Sequence, residues 1–248
     1  MVDLTALKER ARERPVAFVT GGTRGIGKEV ARGLVRRGAF VVIAARDRVV
    51  GRGAEKELGR DGLVHYLPFD ALDERSIAEA ARFVDDTFGR LDVLVNNAGI
   101  CAEARPATEV RPIEIQKVFA LNVLAVVATT QAFIPLLRRA RAGRIVNVSS
   151  HRASLTSPDV AFATQPNMAY SVSKTALNAV TQHFAFELAG TPIKVNAGAP
   201  KHCATELNGF SPRGRPAAEG ARILIDLATL GEDGPSGGFF DEDGHAAW

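Results

Sequence analysis

The chain has 248 residues, with 31 Lys plus Arg against 28 Asp plus Glu, a formal net charge of +3 with histidines neutral. Its 46% hydrophobic and 24% charged residues are those of an ordinary globular protein, which excludes intrinsic disorder, collagen-like repeats and coiled coil. So small a surplus of charge makes no concentrated basic face for nucleic acid, and Cys101 and Cys203, far apart and outside any CxxC or Cys/His spacing, exclude a disulfide framework or a metal site and fit a reducing cytoplasm.

Residues 1–14 mix acids with bases and lack an apolar h-region, so they read as a frayed or weakly helical arm and not as a secretory signal. From there, short β-branched runs alternate with longer segments of helical periodicity, the pattern of a parallel sheet covered by helices. Strands are expected at Val16–Thr20, Phe40–Ala44, Val64–Leu67, Val93–Val95, Ile145–Val148, Ile193–Asn196 and Phe239–Phe240. Most are continuously apolar, as strands buried on both faces should be. Helices are expected at Gly25–Arg37, Ser76–Phe88, Ile113–Arg139, Met168–Leu188 and Ala217–Leu230, with Pro135 kinking or ending the third. The longest apolar run, Val123–Ala128, is far below the roughly 18 residues of a membrane span. With no repeat and no linker, the expectation is one doubly wound, Rossmann-type α/β domain over residues 15–248 with a mostly parallel seven-stranded sheet.

The first strand runs into Thr20-Gly21-Gly22-Thr23-Arg24-Gly25-Ile26-Gly27 and then a helix. Such a turn sets backbone N–H groups and a helix N-terminus against a pyrophosphate, because glycine lacks the Cβ that would block close approach. Gly21, Thr23, Arg24, Gly25, Ile26 and Gly27 are therefore candidate dinucleotide contacts. At the end of the second strand, Ala45-Arg46-Asp47 offers two readings. Arg46 with Arg24 would grip a 2′-phosphate, which favours NADP(H) over NAD(H); in the rival reading Asp47 takes the ribose hydroxyl. Asp70 would receive the adenine amino group or cap the next helix.

Tyr170 and Lys174 are four apart on an expected helix, so they share a face. An ammonium near a phenol stabilises the phenolate and tunes the phenol toward proton transfer. The YxxxK spacing often occurs by chance, but with the glycine turn upstream chance becomes a minor explanation.

Together, TGGTRGIG at Thr20–Gly27, NNAG at Asn96–Gly99, Asn122 in ALNV, VNVSS at Val146–Ser150, YSVSK at Tyr170–Lys174 and the terminal GPSGGFF run resemble the short-chain dehydrogenase/reductase family over nearly the whole chain. The AARD after the second strand, LDVLVNNAG and the ending GPSGGFFDEDGHAAW are most similar to its NADPH-dependent carbonyl reductases. The resemblance implies that Tyr170 is a general acid toward a carbonyl oxygen, that Lys174 lowers its pKa and holds the nicotinamide ribose, and that Ser150 orients the carbonyl. It implies that Asn122 holds a water linking Lys174 to solvent, that Asn96, Ala98 and Gly99 line the adenosine side, and that Pro200 and Thr205 lie by the nicotinamide. For Ser149 a structural turn or capping role is preferred, and Asn122 has that reading as a rival. Family members are often homodimers or homotetramers; monomeric ones also exist, and the oligomeric state stays open.

Two departures stand out. Where the family usually has Pro-Gly, this chain has Pro200-Lys201-His202; if the backbone there needs φ > 0, lysine costs about 1 kcal/mol. An added acid, base or anion contact is one reading of Lys201 and His202, a solvated loop pair the preferred one. The stretch 151–169 between Ser150 and Tyr170 is long, contains the apolar Val160-Ala161-Phe162-Ala163, and with 206–215 is expected to border the substrate. His151 and His183 have no partner at useful spacing, and Cys101 has two readings, a thiol facing the substrate and, preferred, a buried, unreactive thiol. The leading expectation is a cytoplasmic, NADPH-dependent ketone or aldehyde reductase, an acyl-carrier-protein ketoreductase being one variant. The rivals are a non-redox isomerase, lyase or cyclase, and a cofactor-binding sensor without turnover.

Overall fold

The computed structural model describes residues 4–156 and 166–248, so the expected pocket wall at Val160–Ala163 lies outside the described residues. Eight strands form one sheet in the order β3-β2-β1-β4-β5-β6-β7-β8: β1 Val16–Thr20, β2 Phe40–Ala45, β3 Val64–Pro68, β4 Val93–Asn96, β5 Arg144–Val148, β6 Lys194–Gly198, β7 Phe239–Asp241 and β8 Gly244–His245. Neighbours pair in parallel through β7, and β8 folds back antiparallel. The sheet thus has one strand more than expected. Two residues following an Asp-Glu-Asp turn carry no apolar alternation from which to read a strand.

Helices α1 Leu4–Ala11, α4 Glu74–Phe88, α6 Ala125–Leu137 and α7 Met168–Glu187 pack on one face, where Phe18, Val42, Leu94 and Phe133 meet. The other face is covered by α2 Gly25–Arg36, α3 Arg48–Leu58 and α8 Ala217–Ala228 around Val19, Ile43, Val95 and Leu224. Burial on both faces explains the unbroken apolar strands. The N-terminal segment is not frayed, since Leu7 and Ala11 of α1 are buried in the first cluster.

The third expected helix is three pieces: α5 Pro112–Phe119, a π-helical turn Ala120–Leu124, and α6. Pro135 does not end α6, because it sits two residues before the last one and disturbs only the final turn. The run Pro112–Leu137 is long and apolar enough on average to match a membrane span, but half of it is buried within the protein.

Strand order reverses between β1 and β4, which opens a crevice at the carboxyl ends of the central strands. Asn96 pairs with Asn147 and Val148 with Gly198, so the residues after β1, β4, β5 and β6 emerge along one edge.

Candidate active site

At that edge the glycine turn is built against the segment after β4. The hydroxyl of Thr20 accepts hydrogen bonds from the backbone N–H of Asn97 (2.9 Å) and of Ala98 (3.0 Å). Asn97 Nδ2 returns bonds to the carbonyls of Thr20 and Gly21. A Cβ on Gly27 would stand 2.3 Å from that amide nitrogen and 2.5 Å from Gly21 O, so no other residue fits. Gly21 and Gly25 hold φ of 63° and 52°, the left-handed region. Arg24, the N-cap of α2, makes no side-chain cap, so the helix's first N–H groups have no capping acceptor from it. Thr23 is buried in the turn and Ile26 packs into the core beneath it. Thr205 stands over the turn, its methyl 3.4 Å from where a Gly25 Cβ would be.

Asp47 Oδ1 accepts from the N–H of Val49 and Val50 and caps α3, while Arg24 and Arg46 are exposed and enter no ion pair among the described residues. Asp70 Oδ1 accepts from Leu72 N, and the cap of α4 is Asp73 instead. Asn96 departs from expectation. Its side chain is buried away from the crevice, donating to Thr130 Oγ1 (3.0 Å) and Asn147 Oδ1 (2.9 Å), so it offers the groove no side-chain contact. Ala98 and Gly99 follow β4 directly, and a Cβ on Gly99 would meet Asn122 Oδ1 at 3.1 Å. Asn122, in the π turn, accepts from Ile100 N and donates to Ile100 O and Ser173 Oγ, tying the post-β4 loop to α7.

Ser150, Tyr170 and Lys174 come together. Ser150 follows β5, accepts from Arg152 N and faces the Tyr170 hydroxyl. Burial pushes the Tyr170 phenol above its ordinary range, with the nearby Cys101 thiol acting the same way; the Ser150 hydroxyl and the Arg152 charge pull it back. Lys174 is buried, donates to Val148 O at 2.6 Å and stands 5.6 Å from the Tyr170 ring centre. Desolvation pushes its ammonium down to about 8. Ser149 is structural, its hydroxyl donating to Asn178 Oδ1 at 2.6 Å.

Several residues that the sequence left aside belong here. Asn167 caps α7 by accepting from Tyr170 N, and its Nδ2 donates to Ala102 O and Cys101 Sγ, fixing the tyrosine against the 101–105 loop. An Asn three residues before the tyrosine was the available signal. Cys101 is exposed, contrary to expectation, although neighbouring protein still pushes its thiol pKa up. His151 does have a partner, Asp241 Oδ2 at 2.7 Å, supplied by a strand 90 residues away and invisible to local spacing. His183 lies exposed on α7. Lys201 has φ of 54°, the left-handed geometry feared for it, and neither it nor His202 is merely solvated. Lys201 Nζ bonds Glu242 and Asp243, and His202 Nε2 lies 2.9 Å from Ser211 Oγ.

The family model for short chain dehydrogenase matches residues 15–215. The chain belongs to that family. This short-chain dehydrogenase is 33% identical over 233 residues to short-chain dehydrogenase anuI of Penicillium roqueforti, covering 88% of this chain and 90% of that protein. It is 36% identical over 190 residues to a rhamnolipids biosynthesis 3-oxoacyl-[acyl-carrier-protein] reductase of Pseudomonas aeruginosa, covering 75% and 71%. Among solved structures, the NADPH-bound carbonyl reductase from chicken fatty liver superposes with a TM-score of 0.85 at 26% identity, covering 95% of this chain and all of that one. The Pseudomonas aeruginosa RhlG/NADP active-site complex gives 0.81 at 29%, covering 95% and 97%. The family's oxidoreductase chemistry on small molecules and its Rossmann-like fold are thus those of this chain.

Proposed function

We propose that this short-chain dehydrogenase is a cytoplasmic, NADP(H)-dependent reductase of a ketone or aldehyde carbonyl. The observation that carries the reading is the convergence of Ser150 and buried Lys174 on Tyr170, with Lys174 Nζ 5.6 Å from its ring centre, on the same sheet edge as the glycine turn, whose helix has no side-chain cap. The cofactor fits the residues present. The bare N-terminus of α2, Thr23, Gly25, Ile26 and Gly27 suit a pyrophosphate, Arg24 and Arg46 a 2′-phosphate, Asp70 and the Ala98–Gly99 backbone the adenosine, and Pro200 and Thr205 the nicotinamide side. When bound, NADPH supplies hydride to the carbonyl carbon.

The protein's part is orientation and the proton. Ser150 Oγ and Tyr170 Oη both hydrogen-bond the carbonyl oxygen, and Tyr170 gives up its proton as charge develops there. Because burial keeps the phenol protonated, the acid is loaded at neutral pH. Lys174 lies close enough to stabilise the phenolate left behind, and Asn122 holds the loop and α7 at fixed separation, on the path by which a water would restore the proton. The segment 206–215 borders the substrate. A homodimer or homotetramer through α5–α6 and α7 would cover exposed Ile113, Leu124 and Val172.

The test is absorbance loss of NADPH with a panel of ketones and aldehydes. Tyr170→Phe is expected to lower kcat by roughly 100-fold or more while NADPH still binds, as for loss of a general acid. Product formed without NADPH consumption would instead establish a non-redox enzyme, and binding without turnover a sensor.

A further inference from the structure

The Pro200-Lys201 departure acquires a purpose when the β7–β8 turn is considered. Three successive carboxylates there, Asp241, Glu242 and Asp243, each take a basic side chain from a segment bordering the proposed substrate site. Asp241 Oδ2 holds His151 Nε2, next to Ser150, at 2.7 Å. Glu242 Oε1 and Asp243 Oδ2 hold Lys201 Nζ, next to Pro200, at 2.9 and 2.5 Å. The other oxygen of Glu242 takes Arg215 Nη1, and Arg215 Nη2 reaches back to Pro200 O at 3.0 Å.

Arg215 closes the segment between β6 and α8: its N–H donates to His202 O and its carbonyl accepts from Ala204 N. The loop so closed carries Thr205 over the glycine turn and shows Leu207 and Phe210 to solvent, the latter at φ 55°. Among the described residues, Lys201 and Phe210 are the non-glycine residues with positive φ, and both lie in this stretch. A glycine at 201 would take the backbone without strain but would have no side chain to reach the turn.

We propose that the acidic β7–β8 turn is an electrostatic clasp that holds the 202–215 lid closed on the cofactor and substrate, with Lys201 as the positioning residue that replaces an unstrained glycine for this purpose. The proposal rests on reading that edge as the reductase site. Pairing with Asp243 and Glu242 pushes Lys201 up to about 12, and Lys201 and Arg215 hold Glu242 down to about 2, so the Lys201–Glu242 pair stays charged from mildly acidic to mildly alkaline pH. Its groups are partly exposed, so added salt is what loosens it.

Two readouts test this on the full chain. The first is trypsin cleavage after exposed Arg213 in the lid, followed by mass spectrometry, which needs no turnover. The second is the Kd for NADPH, with KM and kcat for a reducible carbonyl. Lys201→Gly and the double variant Glu242→Gln/Asp243→Asn are expected to speed the Arg213 cut and raise the NADPH Kd and the carbonyl KM roughly threefold to tenfold, with kcat nearly unchanged. Lys201→Arg is expected to restore wild-type values, and wild type in 1 M NaCl to match the variants. Thermal unfolding of Lys201→Gly at or above the wild-type midpoint separates loss of the clasp from loss of the fold. Wild-type cleavage and NADPH affinity in Lys201→Gly would overturn the proposal. If wild type binds NADPH but reduces nothing, the reductase reading fails, while the proteolysis and binding comparisons still decide the clasp.

Discussion

Arg46 and Asp47 are adjacent, and as sequence they argue for opposite cofactors. The structure separates them by what each side chain is already doing. Asp47 spends one oxygen on two N–H groups at the start of α3, whereas Arg46 and Arg24 have no partner among the described residues to give up before meeting a phosphate. Charge-assisted hydrogen bonds contribute about 1.5–3 kcal/mol each. Arg46→Ala is therefore expected to weaken NADPH binding roughly 10-fold or more and leave NADH almost unaffected, as read by cofactor fluorescence titration. Equal losses for both cofactors would remove the case for a phosphate site. The Tyr170–Lys174 pair and the glycine turn stand out in the sequence because each is a set of fixed residue types at fixed local spacing. The direction of the Asn96 side chain does not, because a motif says that a residue is present, not which way its side chain turns.

At the scale of elements, the sequence is clearest where periodicity is long and weakest where a residue has a packing task that imitates a breaking one. Gly51, Gly53 and the valines 49 and 50 hide α3, since each lowers helix propensity. Yet Gly51 is no breaker: a Cβ there would lie 2.1–2.4 Å from three atoms of the buried Tyr66 ring. That ring cannot yield, because its hydroxyl donates to Ala45 O at 2.9 Å. Propensity alone makes Gly51→Ala stabilising by about 1 kcal/mol. Overpacking reverses the sign, and a net loss of roughly 1–3 kcal/mol is expected in urea unfolding. A gain would show that Tyr66 can move aside. In the same way Pro135, expected to kink or end the helix, lies inside α6 two residues before its end, while the real interruption, the π turn at Asn122, has no breaking residue in it.

Across the whole molecule, what the sequence withheld was contact between distant segments: the eighth strand, His151 with Asp241, and Lys201 with the β7–β8 turn. The buried lysine shows what such convergence does to stability. Lys174 lies among β5, α7 and the post-β4 loop, and the fold that brings these together also removes its ammonium from water, pushing its pKa from 10.5 down to about 8. Below about pH 8 folded and unfolded chains both carry the charge, so the folded state bears the whole desolvation cost. Between about 8 and 10.5 only the unfolded chain holds the proton, so the cost falls as pH rises. Lys174→Met, similar in length and without a charge, is expected to be more stable than wild type at pH 7 by denaturant unfolding, with the gap closing at a limiting slope of roughly 1 kcal/mol per pH unit above 8. Comparing the two proteins cancels the thiols and phenols that titrate in the same range. A gap that stays constant from pH 7 to 10 would mean that Lys174 keeps an ordinary pKa in the fold. A closing gap means that the surrounding fold holds Lys174 in place against the cost of taking its charge out of water.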